Sequence, residues 1–185
     1  ATWCGWVATT GLNEIDYIFG DPYVTPFDDQ NKFSEKIAQL KKIWISLSKS
    51  TIPTNIDFTT NTNNYVTFGS CNNICKINDK VISAWSTILK NAKNSKLILK
   101  YHSLFGDEYI KKDIIKKFIA YGTNENQIFF DGGSPRKEYF EKFNNIDIAL
   151  DPFPYNGGTT SFETSFMGVP ILTMKNKTYI MRYGE

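Results

Sequence analysis

The sequence predicts an α/β fold, with a doubly wound parallel sheet carrying helices on both faces and part of another domain before it. Strand-like and helix-like patterns alternate from residue 64 onward. The 185 residues are 41% hydrophobic and 15% aromatic, which is enough for a packed core. In addition, glycine-containing turns follow predicted strands, at the positions where such sheets bind ligands.

The alternation begins with a strand, a helix and a second strand. Residues 65–68 are rich in β-forming side chains and end at Gly69-Ser70. Asn78-Asp79 is suited to cap a helix whose apolar side chains share one face. Residues 96–101 predict a buried second strand, because they form a short, largely apolar run.

Two helices and two strands follow. Asp107 is suited to cap a helix that closes near Gly122, and residues 127–130 predict a short third strand. Pro135 is predicted at the first position of the next helix, where its missing N–H costs nothing. Residues 146–150 then predict the fourth strand.

The stretch from Asp151 to Glu163 is the most informative part of the chain. It passes through a proline-broken turn and Gly157-Gly158 into a predicted helix. The free N–H groups and positive dipole end of that helix form an anion site. Glu163 lies about one turn further on the face that carries Thr159 and Thr160. Phosphate donors beside a carboxylate that can hold sugar hydroxyls indicate a nucleotide-type ligand.

The last predicted elements are a helix over residues 159–167 and a fifth strand over residues 171–174. The resulting βαβαβαβαβ order implies a parallel sheet with right-handed crossovers. Because ligands bind beyond the carboxyl ends of such strands, residues 69–76, 134–139 and 151–163 are expected to converge on one rim.

Residues 1–60 differ from the rest. They contain Thr9-Thr-Gly11, an acidic loop with prolines, and an amphipathic stretch over residues 33–45. Residues 48–64 are polar and are interpreted as a linker. The chain is therefore divided into the end of a first domain with its linker and a second domain over residues 61–185. Both termini give the impression of a fragment of a longer protein.

Composition excludes several classes of function. A net charge of +2 is too small to predict binding to nucleic acid or to an anionic membrane. The sequence contains neither an apolar run of about 20 residues nor a signal-peptide pattern. Cys4, Cys71 and Cys75 form no CxxC pair and His102 is the single histidine, so no zinc site is expected. Free thiols fit a reducing cytosol, and a cytoplasmic location is expected.

Three motifs and Met167-Gly-Val-Pro170 carry a resemblance to a known family. The motifs are W-C-G-W-V-A-T-T-G from Trp3 to Gly11, F-G-S-C-N-N-I-C-K-I from Phe68 to Ile77, and D-P-F-P-Y-N-G-G-T-T from Asp151 to Thr160. Together they resemble the catalytic region of the protein O-GlcNAc transferase and SPINDLY-like glycosyltransferases. The resemblance implies a GT-B fold of two Rossmann-like domains, with the sugar donor in the cleft between them. Residues 61–185 would then be most of the second domain.

The resemblance also implies roles for particular residues. Lys76 would be the catalytic group at the donor diphosphate, because a positioned ammonium stabilises the charge that forms when a nucleoside diphosphate departs. The Thr159–Thr160 pair would bind the diphosphate and Glu163 the ribose. Asn73 would lie near the diphosphate. The remaining contacts that the family implies are Ser134, Arg136 and Tyr139 at the base, and Thr9 and Thr10 beside the sugar.

Two positions depart from the family pattern. O-GlcNAc transferases commonly have histidine before the threonine pair, where this chain has Gly158, and at the base-stacking position, where it has Tyr139. Tyrosine can still stack on a base. Asn72-Asn73, Glu163 and the Met-Gly-Val-Pro ending are more similar to SPINDLY proteins, some of which use a guanosine donor.

The function implied by the resemblance is that of a metal-independent, inverting glycosyltransferase acting on Ser/Thr of a polypeptide. The expected donor is UDP-GlcNAc, and the alternative is a SPINDLY-like protein O-fucosyltransferase that uses GDP-fucose. A non-catalytic nucleotide-sugar-binding module, or a GT-B enzyme acting on a lipid or small glycan, also stays open. Upstream repeats of about 34 residues would favour a protein acceptor.

The resemblance also implies what the chain is expected to lack. A first GT-B domain and helical repeats are expected upstream, with the general base and most of the acceptor site outside this chain. The chain by itself is therefore expected to be inactive. The expected partners are a nucleotide sugar and a polypeptide, with no nucleic acid, membrane or metal.

Overall fold

A computed structural model describes residues 1–3, 8–45, 48, 51–59 and 62–184. Within them lie two parallel sheets and four α-helices. The strands are β1 (Tyr17–Gly20), β2 (Lys36–Gln39), β3 (Val66–Ser70), β4 (Ser95–Lys100), β5 (Ile128–Asp131), β6 (Ile148–Leu150) and β7 (Ile171–Leu172). The helices are α1 (Asp79–Asn91), α2 (Glu108–Ala120), α3 (Arg136–Glu141) and α4 (Thr159–Phe166).

The larger sheet has the order β5-β4-β3-β6-β7, and all its strands are parallel. The chain starts in the centre at β3, adds β4 and β5 on one side, and then returns to add β6 and β7 on the other. The predicted α/β fold and its βαβαβαβαβ order are confirmed. The strand order reverses between β3 and β6, and open parallel sheets bind ligands at such a point.

Helices α1 and α2 begin where their capping residues predict. The Asn78 side chain accepts hydrogen bonds from the backbone N–H groups of Lys80 and Val81, at 3.0 and 3.2 Å. Asp107 does the same for α2. Both helices cover one face of the sheet, where Trp85 of α1 and Phe118 of α2 are buried in the main apolar cluster. The caps fix where each helix starts, and the apolar stripe fixes which face it buries.

The second face of the sheet is covered by the chain that follows β5. Phe140, Phe143 and Ile146 pack there with Met167 in a separate buried cluster. A Cβ atom at Gly69 of β3 would lie 2.4 Å from the side chain of Ile146, so this close approach requires glycine. The packing brings the segment after β5 over the centre of the sheet, where it borders the start of α4.

One prediction of local structure needs correction, and two short strands were not predicted. Pro135 precedes α3 as its N-cap residue and is not the first helical residue, since its ψ of 152° is extended. The stretch over residues 33–45 contains β2, which pairs in parallel with β1 from Tyr17 opposite Lys36.

The first part of the chain packs on the last part. Trp44 and Val24 form a buried cluster with Tyr179, and the ring centroids of Trp44 and Tyr179 lie 5.8 Å apart. The Arg182 guanidinium pairs with the buried Asp29 carboxylate. Among the described residues, no helix is long and apolar enough to cross a membrane.

Candidate nucleotide-sugar site

The turns after β3, β5 and β6 meet beyond the carboxyl ends of the strands, as predicted. They border a cavity of about 410 Å³, which is large enough for a nucleoside. Six of the predicted site residues line it: Ser134, Arg136, Tyr139, Thr159, Thr160 and Glu163. The residues predicted for the base and the ribose therefore border one cavity with the threonine pair predicted for the diphosphate.

The start of α4 retains the properties of an anion site. Gly158 is the N-cap residue and supplies no capping side chain. The Ser161 N–H donates to the Gly158 carbonyl at 3.0 Å, so the N–H groups of Thr159 and Thr160 are the ones left to bind an external acceptor. The helix dipole favours a negative one. Since Thr159 and Thr160 line the cavity at this point, their hydroxyls add donors to the same site.

The turn from Asp151 to Gly158 is held by buried polar contacts. Asp151 accepts hydrogen bonds from the Gly157 N–H and the Thr173 hydroxyl, both at 2.7 Å. The Asn156 side chain is fully buried and donates to Thr173 Oγ1 at 3.2 Å. Burial raises the pKa of Asp151, while the hydrogen bonds from Thr173 and Gly157 oppose that rise. These contacts position the start of α4 in advance of any ligand.

Lys76 lies against this turn. Its Nζ donates to the Asn156 carbonyl at 2.8 Å and to Asn72 Oδ1 at 3.3 Å, and it sits 4.1 Å from the centroid of the Tyr155 ring. Its direct contacts among the described residues are with uncharged groups, while the Asp151 carboxylate acts on it electrostatically. Burial lowers the pKa of Lys76, and the charge of Asp151 raises it.

Glu163 is buried at the cavity wall and binds two of the other predicted residues. Its Oε1 accepts from Arg136 Nη2 at 2.5 Å, and its Oε2 accepts from the Tyr139 hydroxyl at 2.6 Å. Burial raises the pKa of the Tyr139 hydroxyl, and the neighbouring charge of Glu163 raises it further. Tyr139 therefore stays protonated as a donor.

Lys76, Asn73, Thr9 and Thr10 do not line this cavity. Asn73 instead caps the short 3-10 helix of Ile74–Lys76, accepting from the Cys75 N–H at 2.9 Å.

The loop with Thr9 and Thr10 is anchored by Glu35. This carboxylate accepts from the Thr9 hydroxyl at 2.7 Å, from the Thr10 N–H at 2.6 Å, and from the Thr10 hydroxyl. Although burial raises the pKa of Glu35, the bonds from Thr10 and Thr9 lower it to about 2. Cys4, within the motif from Trp3 to Gly11, lies outside the described residues.

Several cavity residues were not among the predicted site residues. These are Cys71, Lys100, Tyr101, His102, Gly132 and Gly133. Lys100 is buried, and its Nζ donates to the Gly132 carbonyl at 2.8 Å and pairs with Asp131 at 3.2 Å. Two sequence features could have indicated these residues: the position of Tyr101-His102 at the end of a strand, and the glycine pair after β5. Cys71 is an inert wall residue, because burial raises the pKa of its thiol to about 12.

Within the described residues, no group of three or more His, Cys, Asp or Glu side chains could hold a metal ion. The donors among the cavity residues include the hydroxyl groups of Ser134, Thr159 and Thr160 and the guanidinium of Arg136. These suit phosphate and sugar oxygens.

The chain is similar to known proteins over nearly its whole length. The family model for Glycosyl transferase family 41 matches residues 46–184. The SPINDLY protein of Eustoma exaltatum subsp. russellianum, named a probable UDP-N-acetylglucosamine–peptide N-acetylglucosaminyltransferase, is 32% identical over 185 residues. The protein of the same name from Arabidopsis thaliana is 31% identical over 190 residues. Both alignments cover 99% of this chain and 20% of the relative.

A solved structure shows the same arrangement of the chain. A mutant of the Thermobaculum terrenum O-GlcNAc transferase superposes with a TM-score of 0.89 and 25% sequence identity. The match covers 98% of this chain and 34% of that structure. The chain thus spans about a fifth of the curated relatives and about a third of the solved one.

Proposed function

The chain belongs to Glycosyl transferase family 41, and we propose that it supplies the donor-binding half of an enzyme that transfers GlcNAc from UDP-GlcNAc to Ser or Thr of a polypeptide. It is an O-GlcNAc transferase-like catalytic region with the GT-B type of fold. The family's donor is a nucleotide sugar. The observation that carries the proposal is the cavity in which Ser134, Arg136 and Tyr139 meet Glu163 and the Thr159–Thr160 pair.

Different residues of the site suit the base, the ribose and the diphosphate of the donor. The wall near Ser134 and Tyr139 suits the base, and the Ser134 hydroxyl is a buried polar atom without a protein partner. Glu163 suits the ribose hydroxyls, because a buried carboxylate accepts strong hydrogen bonds. The start of α4 suits the diphosphate.

Transfer proceeds by displacement in this proposal. The acceptor oxygen bonds to the anomeric carbon of the sugar as the bond from that carbon to the diphosphate oxygen breaks. The proton of the acceptor hydroxyl passes to a general base elsewhere in the protein, and the electron pair stays on the diphosphate. Lys76 and the first N–H groups of α4 stabilise that charge electrostatically, without a metal ion.

Lys76 is suited to this role because its partners are neutral. The Asn156 carbonyl and the Asn72 amide oxygen hold the ammonium in place but do not cancel its charge. The turn that carries Asn156 also leads into α4, so one segment positions both sources of positive potential. Thr9, Thr10 and Asn73 are proposed to border the sugar and diphosphate when the donor is bound.

Calorimetric titration of the full-length protein with UDP and GDP tests the proposal. We expect UDP to bind with at least about tenfold higher affinity than GDP. The reverse preference would support a SPINDLY-like fucosyltransferase, in agreement with the Tyr139 and Gly158 departures. Failure of both nucleotides to bind would overturn the assignment of the cavity to a nucleotide-sugar donor.

A further inference from the structure

The buried Glu163 carboxylate has a donor on each oxygen before any ligand arrives. The Arg136 guanidinium binds Oε1 and the Tyr139 hydroxyl binds Oε2. The Glu163 side chain is 5% exposed, whereas the Arg136 side chain is 46% exposed. The carboxylate therefore cannot change rotamer without breaking two charge-assisted hydrogen bonds.

Both donors are themselves fixed by other contacts. Arg136 Nε donates to the Thr51 carbonyl at 3.1 Å, and its guanidinium lies 4.7 Å from the centroid of the Phe140 ring. The Tyr139 ring meets Phe140 and Phe143 edge-on, with centroids 5.6 and 5.3 Å away and interplanar angles of 89°. The two donors are therefore held independently of a bound ligand.

The remaining capacity of the carboxylate matches a pair of hydroxyl groups. Each carboxylate oxygen accepts about two hydrogen bonds, so one site stays open on Oε1 and one on Oε2. Glu163 lines the same cavity as Thr159 and Thr160, the residues predicted to bind the diphosphate. Two adjacent open acceptors fit the vicinal 2′- and 3′-hydroxyls of a ribose.

We propose that Arg136 and Tyr139 are positioning residues that hold Glu163 for the two hydroxyls of ribose, so that this wall selects ribonucleotides over deoxyribonucleotides. The inference deepens the proposed function and rests on a nucleoside diphosphate occupying the cavity. In this role Arg136 and Tyr139 act by holding the Glu163 carboxylate, independently of any contact with the base. The sequence did not show this role, because α3 and α4 lie on separate βα units.

The test compares a nucleoside diphosphate with its 2′,3′-dideoxy analogue in the full-length protein. The base is whichever of uracil and guanine binds in calorimetry. We expect wild type to bind the ribonucleotide at least about tenfold more tightly than the analogue, because hydrogen bonds to a charged group are lost. Tyr139→Phe keeps the ring and removes the hydroxyl. It should weaken ribonucleotide binding about tenfold and leave binding of the analogue nearly unchanged.

Three further variants complete the test. Arg136→Gln and Glu163→Gln should also bring the ratio of the two affinities toward one. Tyr109→Phe makes the same chemical change at a tyrosine that is 87% exposed on α2, and should leave the ratio at its wild-type value.

Two results would overturn the inference while leaving the proposed function intact. One is a Tyr139→Phe protein in which both affinities fall equally, which would indicate a contact with the base. The other is wild-type discrimination in the Glu163→Gln protein. If Tyr139→Phe does not fold, the half-exposed Arg136 provides the deciding variant, and an unchanged ratio in Arg136→Gln would overturn the inference. Failure of wild type to bind either nucleoside diphosphate would instead reject the proposed function.

Discussion

At the scale of single residues, Lys76 has the most direct chemical role. Its ammonium is partly desolvated and held by neutral oxygens of Asn156 and Asn72. Desolvation strengthens its attraction for an anion, because the effective dielectric constant is lower than in water. A lysine placed in this way contributes most when charge develops on the leaving diphosphate.

Replacing Lys76 by alanine should therefore affect turnover more than donor affinity. We expect kcat of the full-length protein to fall by about 10²–10³, the range seen when a group that stabilises transition-state charge is removed. Steady-state kinetics with the preferred donor measure this effect. Lys80→Ala, which removes an exposed lysine from α1, is the matched control and should retain wild-type kcat. A Lys76→Ala protein with near-normal kcat and an unchanged melting temperature would contradict the role.

Individual site residues could be predicted from the sequence where local spacing determines their position. Thr159, Thr160 and Glu163 share a helical face because they are three and four residues apart, and all three line the cavity. The bond from Arg136 to Glu163 joins positions 27 residues apart in sequence. No local pattern specifies such a contact, since it depends on how two helices are placed on the sheet.

At the scale of elements, the turn between β6 and α4 depends on two glycines with different surroundings. A Cβ atom at Gly157 would lie 2.5 Å from Ser161 Oγ and 2.9 Å from Asp151 Oδ1. At Gly158 the nearest atom would be Tyr183 Cδ2, at 3.7 Å, which is an ordinary contact. The first glycine is required by packing, and the second leaves room for a side chain.

Alanine substitutions at these two positions should therefore have different effects. Gly157→Ala should lower the free energy of unfolding by about 1–3 kcal/mol, because the turn has to shift away from Ser161 and Asp151. It should also weaken nucleoside diphosphate binding. Gly158→Ala should change the free energy of unfolding by less than about 1 kcal/mol. Urea denaturation of the full-length protein measures both values, and equal effects of the two substitutions would contradict the packing argument.

Elements with strong local signals were predicted well, and elements without them were not. Asn78 and Asp107 cap α1 and α2 as expected, because a cap is a contact within one turn of helix. Strands β1 and β2 were not predicted, because they lie before residue 64, outside the alternation of strand-like and helix-like patterns. Strand β2 falls within the amphipathic stretch over residues 33–45. Their pairing is specified by contacts with distant parts of the chain.

At the scale of the whole molecule, the order of the strands assembles the site. Strands β3 and β6 are neighbours in the sheet although their first paired residues, Phe68 and Ile148, lie 80 positions apart in the sequence. Their carboxyl ends, with that of β5, present three turns to one cavity. The alternation in sequence predicted this convergence, because a doubly wound parallel sheet has one edge at which all strands end.

This convergence predicts how ligand binding changes backbone protection. With the preferred nucleoside diphosphate at about 100 times its Kd, amide exchange should slow together in residues 71–76, 132–135 and 152–160. Some amides exchange only when the protein opens into a form that cannot bind the ligand. Exchange at these amides can slow by up to about 100-fold. Residues 92–94 and 121–127 precede β4 and β5 at the opposite edge and serve as the internal control. Hydrogen–deuterium exchange with mass spectrometry on the full-length protein measures all five segments in one experiment. Protection of one turn alone, or equal protection at the opposite edge, would show that the three turns do not bind the ligand as one site.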